Sequence, residues 1–211
     1  MGRARHTLVA AAVIMVIGVG ALGAQEDADA LELYRDGDYE EAVEVTLQEI
    51  EEQPRNMDAY TVLGWSLLAL DRHEDALQYG LRALETSRFD RRIVYIVGEA
   101  HYNLENYEDA LGYFEEYVTI APTGDLIDEV YSTMGEIFLR FDEYHHADAA
   151  LSTAVYLNEG QASWWSRLGF AREQAGDHTH ALEAYEQALE LDADLSEAVR
   201  GRERVQEELS G

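Results

Sequence analysis

The chain has 211 residues, of which 43 are acidic and 15 basic, giving a formal net charge of −28 at pH 7. Every basic residue is an arginine, and cysteine is absent, which excludes disulfides and a thiol nucleophile. Such a charge repels nucleic acid and anionic lipid, so we expect neither as a partner. Two interpretations of the acidity stay open: a field that attracts a basic partner, and a surface that only keeps the protein solvated.

Residues 1–24 have the layout of a secretory signal peptide. Arg3 and Arg5 precede an uncharged run from Leu8 to Ala24, and an acidic stretch follows. The run of 17 residues is shorter than the roughly 20 that a spanning helix needs. We predict cleavage after Gly23 or Ala24 and export to the periplasm, the cell envelope or the medium. An uncleaved membrane anchor is the alternative.

After this segment a pattern returns every 34 residues. Ala42, Ala76 and Ala110 keep this step, and so do Gly64 and Gly98. Each unit has a first segment with apolar residues at helical spacing (helix A), a polar turn, and a second amphipathic segment (helix B). A period of this length built from two helices predicts a solenoid whose stacked units bury a continuous core.

The repeat divides the chain into five units and a terminal helix. The predicted units are 25–56, 57–90, 91–127, 128–161 and 162–195, followed by a capping helix over 196–211. The first unit has a short helix A. The third is three residues longer than its neighbours, and the excess falls around Pro122–Asp125. Proline and glycine predict a loop there, at which the superhelix bends or a loop projects; a harmless surface insertion is the alternative.

A glycine in the same register of each helix A predicts a close helix crossing. Glycine inside a helix costs roughly 0.5–1 kcal/mol relative to alanine, so a shared packing reason is needed. The simplest is that helix B crosses helix A at this point, and the repeated alanine of helix B is the predicted partner. Pro54 and Pro122 are predicted to follow the ends of two B helices, because proline cannot continue a helix.

These residues resemble the tetratricopeptide repeat (TPR) family. Helix A carries the tyrosine–leucine–glycine pattern of Tyr60, Leu63 and Gly64, and helix B carries an alanine–aromatic–alanine pattern. The resemblance covers about 30–193. It implies an all-α, right-handed α-solenoid of about five helix-turn-helix units plus a C-terminal capping helix. It further implies a non-enzymatic scaffold that binds a partner peptide or helix on its concave surface.

In the resembled family, helix A lines that concave surface. The implied binding residues are Trp65, Arg92, Tyr95, Glu99, Tyr102, Glu136, Leu139, Arg140 and Phe170. The aromatic members are expected to supply apolar anchors, and packing against a neighbouring helix A is the alternative for each. Glu99 and Glu136 are expected to accept hydrogen bonds from arginine or lysine of a partner. Because they replace residues with which some family members grip a terminal carboxylate, we expect no such clamp.

The remaining polar residues predict neither a metal site nor catalysis. His73, His145, His146, His178 and His180 are placed in the turns between helix A and helix B, too spread along one edge to converge on an ion. No phosphate-binding glycine loop or nucleophile elbow occurs, so we predict no cofactor and no enzyme. Two other functions stay open: a structural subunit or homo-oligomer whose weak first unit is completed by a neighbour, and a small-molecule or transporter accessory protein.

Overall fold

The computed structural model describes residues 29–211, in which the chain forms eleven α-helices and no β-strand. The helices are α1 (Ala30–Asp36), α2 (Tyr39–Glu52), α3 (Met57–Ala69), α4 (His73–Thr86), α5 (Arg91–Asn103), α6 (Tyr107–Ile120), α7 (Ile127–Arg140), α8 (Tyr144–Leu157), α9 (Ala162–Gln174), α10 (His178–Leu191) and α11 (Ser196–Ser210). The predicted signal segment and its cleavage site lie outside the described residues. Within 29–211, no helix combines the length and the apolar character needed to cross a membrane.

The helices are arranged as successive pairs. In each of the five pairs, α1/α2 to α9/α10, a turn of two or three residues joins helix A to helix B, which folds the two back on each other. Each helix B also packs against the next helix A, and α11 packs against α10 and α9. The predicted all-α solenoid of five helix pairs followed by a terminal helix is confirmed.

The turn after each helix A contains a residue with left-handed backbone conformation. The angle φ is +88° at Gly37 and +82° at Gly176, and it is +55°, +60° and +57° at Asp71, Glu105 and Asp142. In every unit the N–H of the following residue donates to the carbonyl oxygen five residues earlier at 2.9 Å. This Schellman closure satisfies a carbonyl at the end of the helix and reverses the chain within three residues.

The repeated glycine of helix A lies at a tight crossing, but the predicted partner was wrong. A Cβ atom at Gly98 would lie 2.9 Å from the ring of Phe114, and one at Gly135 would lie 2.5 Å from Cγ of Leu151. Phe114 and Leu151 stand four residues after the repeated alanine of helix B. The glycine therefore makes room for the large residue of helix B, which is fully buried in both units.

In the second unit, Gly80 stands where the later units have a large helix B residue. Side chains of the third unit therefore fill the space at this crossing. A Cβ atom at Gly64 would lie 2.8 Å from Ile96, and one at Gly80 would lie 2.6 Å from Val97. Both partners belong to α5. Two side chains of α5 thus enter the second unit, and α3 and α5 pack directly on each other.

The junction between the third and fourth units is the most open part of the stack. Six residues, 121–126, separate α6 from α7, whereas four residues separate helix B from the next helix at the other junctions. α1 packs on α3, α3 on α5 and α9 on α11, but α5 and α7 make little contact. The longer third unit predicted from the sequence therefore coincides with a widening between two consecutive A helices.

Candidate functional site

The A helices form the inner face of the solenoid. Consecutive A helices approach one another at most junctions, whereas within the described residues consecutive B helices make no comparable contact. A stack of helix pairs in which one layer is closer together is concave on that side. We call this surface, formed by α1, α3, α5, α7 and α9, the inner face.

At the N-terminal end of the inner face, Trp65 and Arg92 are engaged by their own neighbours. The Trp65 ring is partly buried against the ring of Tyr34 on α1, with centroids 5.6 Å apart, so packing between A helices accounts for it. Arg92 donates to Oδ1 of Asp58 at 2.7 Å and to Oδ2 of Asp90 at 2.8 Å. Hydrogen bonds to Asp90 and then Asp58 raise the pKa of Arg92. Arg92 therefore joins α3 to α5.

The junction of α5 and α7 combines acidic residues of both helices with a tyrosine. The Tyr95 ring lies against Phe114 and Tyr117, with centroids 6.3 and 6.1 Å away. Burial raises the pKa of Glu99, and the carboxylate of Glu129 on α7 raises it further. Burial, together with Glu99 and Glu129, also raises the pKa of the Tyr95 hydroxyl. This part of the inner face therefore combines an aromatic wall with excess negative charge.

A second aromatic group lies further along the same junction. The rings of Tyr102 and Tyr107 meet edge to face with centroids 5.8 Å apart, and Tyr107 contacts Phe141 in the same way at 6.4 Å. The guanidinium of Arg140 lies 4.9 Å from the centre of the Tyr107 ring. Arg140 is exposed and has no ion pair within the described residues. The structure thus places the predicted residues Tyr102 and Arg140 together.

Three other predicted binding residues, Glu136, Phe170 and Leu139, are engaged by contacts within the protein. Both carboxylate oxygens of Glu136 accept hydrogen bonds from Arg167 on α9 at 2.6 Å, so Glu136 is committed to a bidentate internal ion pair. The guanidinium of Arg167 also lies over the Phe170 ring, 5.5 Å from its centre. Leu139 is only 6% exposed and belongs to the core with Leu168, so it offers a partner almost no surface.

A hydrogen-bond network fixes the C-terminal end of the inner face. Glu173 on α9 accepts from Nε and Nη2 of Arg204 on α11 at 2.7 and 2.8 Å, and from the Tyr185 hydroxyl of α10 at 2.6 Å. These three groups join the last repeat to the terminal helix. Sequence reasoning missed them, although a signal exists: Glu136 and Glu173 are each followed by an arginine 31 residues later.

Two cavities open on the inner face. One of about 350 Å³ lies beside α1, and one of about 170 Å³ lies between α9 and α11. Charged side chains border both; the larger is lined by Asp29, Ala30, Leu31, Glu49, Asp58, Ala59, Thr61, Val62, Trp65 and Arg92. Small-molecule pockets are lined predominantly by apolar side chains, whereas charged residues make up a large part of both linings.

The histidines lie in the first turn of the B helices rather than in the preceding turns as predicted. α4 and α10 begin at His73 and His178, and His145 and His146 follow the first residue of α8. Across residues 29–211, no three histidine or acidic side chains are grouped as a metal ion requires. His180 instead faces Asp177, with Nδ1 2.8 Å from Oδ2.

Helix pairs stacked so that their A helices line an open, charged and aromatic surface define a helical-repeat protein of the kind that mediates protein–protein contacts. Models described as tetratricopeptide repeat match residues 28–91, 86–125 and 162–195. The chain belongs to the tetratricopeptide repeat family. The fourth unit lies outside these matches, although α7 and α8 form the same kind of helix pair.

Similar curated proteins are much longer than this chain. The Hsp70-Hsp90 organizing protein of Triticum aestivum is 32% identical over 95 residues, which cover 45% of this chain and 16% of that protein. Human protein O-mannosyl-transferase TMTC1 is 23% identical over 180 residues, covering 83% of this chain and 20% of that protein. Because the chain spans a fifth or less of these relatives, their activities and partners do not transfer to it.

Solved structures share the fold at low sequence identity. The TPR protein YrrB has a TM-score of 0.72 and 20% identity, over 80% of this chain and 85% of that one. MamA has a TM-score of 0.70 and 17% identity, over 79% and 95%. MamA 41-end from Desulfovibrio magneticus RS-1 has a TM-score of 0.70 and 20% identity, over 79% and 93%. Tetratricopeptide repeat proteins with this fold are typically non-enzymatic.

Proposed function

We propose that this protein is a non-enzymatic scaffold that docks a segment of a partner protein on its inner face, centred on the junction of α5 and α7. The observation that carries the proposal is the set of groups left accessible there. Tyr95 and Tyr102 are partly exposed, and neither Glu99 nor Arg140 has an internal ion pair within the described chain. Tyrosine and arginine are enriched among the residues that contribute most to protein–protein binding.

Family and fold support the proposal at a coarser level. TPR proteins bind protein or peptide partners, and YrrB is described as a TPR protein with an unusual peptide-binding site. The carboxylate-gripping arrangement remains unexpected here, because Glu99 stands where a basic or amide side chain would be needed. Among the nine predicted residues, the proposed contact set is therefore reduced to Tyr95, Glu99, Tyr102 and Arg140.

Replacing Tyr95 and Tyr102 together by alanine is expected to weaken partner capture at least about tenfold, because two apolar anchors are removed. The measurement is affinity capture from the source organism, followed by calorimetric titration of the purified captured segment. Tyr102→Ala alone is the second variant, since Tyr95 also packs on core residues and its loss costs stability. Circular dichroism verifies that each variant is folded.

The matched control is Tyr156→Ala. Tyr156 lies on α8 with 81% of its surface exposed. The substitution removes a tyrosine side chain, as Tyr102→Ala does, but at a position away from the inner face. The control is expected to capture the partner as well as the parent protein does. Equal affinity for the parent, Tyr102→Ala and the double variant would move the interface away from the α5/α7 junction.

A second candidate function is that of a structural subunit, and the N-terminal end favours it. α1 has 7 residues where α3, α5 and α9 have 13, and the cavity of about 350 Å³ lies beside it. A neighbouring molecule could supply the missing helical turns. Light scattering distinguishes the two: a concentration-independent oligomer supports this function, and a monomer at micromolar concentration excludes it.

We also propose that the scaffold works outside the cytoplasm, on the strength of the charge and apolar pattern of residues 1–24. N-terminal sequencing of the protein isolated from its native cells tests this. A mature chain that begins at Ala24 or Gln25 supports export with cleavage. An intact Met1 in a membrane fraction supports the anchor, and an intact Met1 in the soluble cytoplasmic fraction overturns the proposal.

A further inference from the structure

Arginine side chains bridge two of the four pairs of consecutive A helices, and another arginine joins the last A helix to the terminal helix. Arg92 joins α5 to Asp58 of α3, Arg167 joins α9 to Glu136 of α7, and an arginine of α11 bonds to α9. Each bridge places a guanidinium against a carboxylate of the preceding helix, with donor–acceptor distances of 2.6 to 2.7 Å. In a chain of charge −28, these bridges are the means by which the inner face neutralises its own acids.

The bridge is absent between α5 and α7, although the carboxylate that would receive it is present. Glu99 directly follows the repeated glycine of α5, as Glu136 follows that of α7. Two residues before the next repeated glycine, Arg167 bonds to Glu136, whereas Thr133 occupies the corresponding place for Glu99. Glu99 therefore has the register of a bridging acid but no bridging arginine.

No described cation takes the place of the missing guanidinium. Arg92 is held by Asp58 and Asp90, and Arg91 faces Asp125 at 3.8 Å. Arg140 lies against the ring of Tyr107. The charge of Glu129 on α7 disfavours ionisation of Glu99 and so raises its pKa. Within the described residues Glu99 accepts a long hydrogen bond from Asn103, at 3.4 Å, but pairs with no cation, and the partly exposed Tyr95 lies beside it.

We infer that the partner segment docked on the inner face carries an arginine whose guanidinium enters the α5/α7 opening, bonds to Glu99 and Glu129, and rests against Tyr95. This inference rests on the proposed function and names the chemistry of its ligand. Arginine fits better than lysine for two reasons: its planar group can bond to two carboxylates at once, and it stacks on aromatic rings. The register of the Glu136–Arg167 pair, rather than the acidity alone, points to this ligand.

The test uses two twelve-residue helical peptides, acetyl-(Ala-Leu-Arg-Ala)₃-amide and the same peptide with citrulline for arginine, titrated into the protein. Citrulline keeps the shape of arginine without its charge. The arginine peptide is expected to bind roughly tenfold more tightly, as a charge-assisted hydrogen bond provides. Glu99→Gln is expected to remove most of that difference. Thr133→Arg is expected to do the same, because the new arginine would form an ion pair with Glu99 inside the protein and leave no carboxylate for the peptide.

The control Glu115→Gln separates a specific contact from general attraction to an acidic protein. Glu115 is exposed on α6, so its loss changes the net charge by the same amount as Glu99→Gln without touching the opening. An arginine peptide that loses equal affinity with both variants overturns the inference. Peptides that bind equally well to the parent protein but more weakly to Tyr102→Ala overturn the arginine contact and leave the proposed function standing. The absence of saturable binding of either peptide also overturns the arginine contact, whereas the proposed function is decided by the capture experiment.

Discussion

Replacing Gly135 by alanine is expected to lower the free energy of unfolding by about 1–3 kcal/mol, the usual cost of overpacking a core. The new methyl carbon would lie 2.5 Å from Cγ of Leu151, and Leu151 is fully buried, so neither side chain can move aside. The gain of up to about 1 kcal/mol in helix propensity does not offset this clash. Urea denaturation followed by circular dichroism at neutral pH measures the change.

Gly112 provides the matched control for this substitution. It lies in the middle of α6 and is exposed, and a Cβ atom there would have no heavy atom within 4 Å apart from the adjacent residues and backbone of its own helix. Gly112→Ala is therefore expected to raise the free energy of unfolding by about 0.5–1 kcal/mol. If both alanine variants gained stability equally, the tight crossing of helices A and B would be refuted.

Replacing Glu173 by glutamine is expected to lower the free energy of unfolding by about 1.5–3 kcal/mol, because charged hydrogen bonds from Arg204 and Tyr185 are lost. The Glu173 side chain is 11% exposed, whereas the Arg204 side chain is half exposed. Because solvent screens the exposed partner, we expect a loss of about 1.5 rather than about 3 kcal/mol. Since these bonds hold α11 to the last repeat, hydrogen exchange of α11 amides is expected to accelerate. Glu203→Gln, on the exposed side of α11, is expected to leave both quantities unchanged.

The contribution of Glu173 to stability also depends on pH. Burial by itself raises the pKa of this carboxyl, but the hydrogen bonds from Arg204 and Tyr185 outweigh it, and the net pKa is lowered. A lowered pKa stabilises the fold above the pKa of the unfolded chain, and this stabilisation is lost as the pH falls through the folded value. The parent protein and Glu173→Gln are therefore expected to converge in acid, and a difference that grows in acid would contradict the ionised network.

The contribution of Glu99 to stability is expected to depend on pH in the opposite direction. Burial first, and Glu129 second, raise its pKa in the folded state. Ionised Glu99 thus opposes folding near neutral pH, and this cost is relieved as the pH falls through the raised value.

The sequence predicted where helices begin and how they pair, because both depend on local signals. Met57, Arg91 and Ala162 are the first residues of α3, α5 and α9, and the predicted start of the fourth unit lies one residue after that of α7. Polar residues after each helix A predicted the turns, whose left-handed closure depends on only a few successive residues. Signals of this kind need no knowledge of what lies across the core.

Contacts across the core could not be predicted in the same way. The spacing of Gly98 and Gly135 predicted a close crossing, but the axial offset between helices A and B decides which helix B side chain enters it. Leu139 was placed on the concave surface by its register, yet it packs toward α9 with Leu168. The engagement of Glu136 by Arg167 depends on two side-chain conformations from different units, which a periodic pattern does not specify.

The sparse contact between α5 and α7 also predicts where the solenoid bends most easily. In a stack where each unit touches only its neighbours, bending is easiest at the interface with the fewest contacts. Apolar residues of α7, including Val130 and Ile137, belong to the same buried cluster as those of α5, so the core is continuous across this junction. We therefore expect bending to be concentrated in the layer of A helices, at the surface on which the partner is proposed to rest.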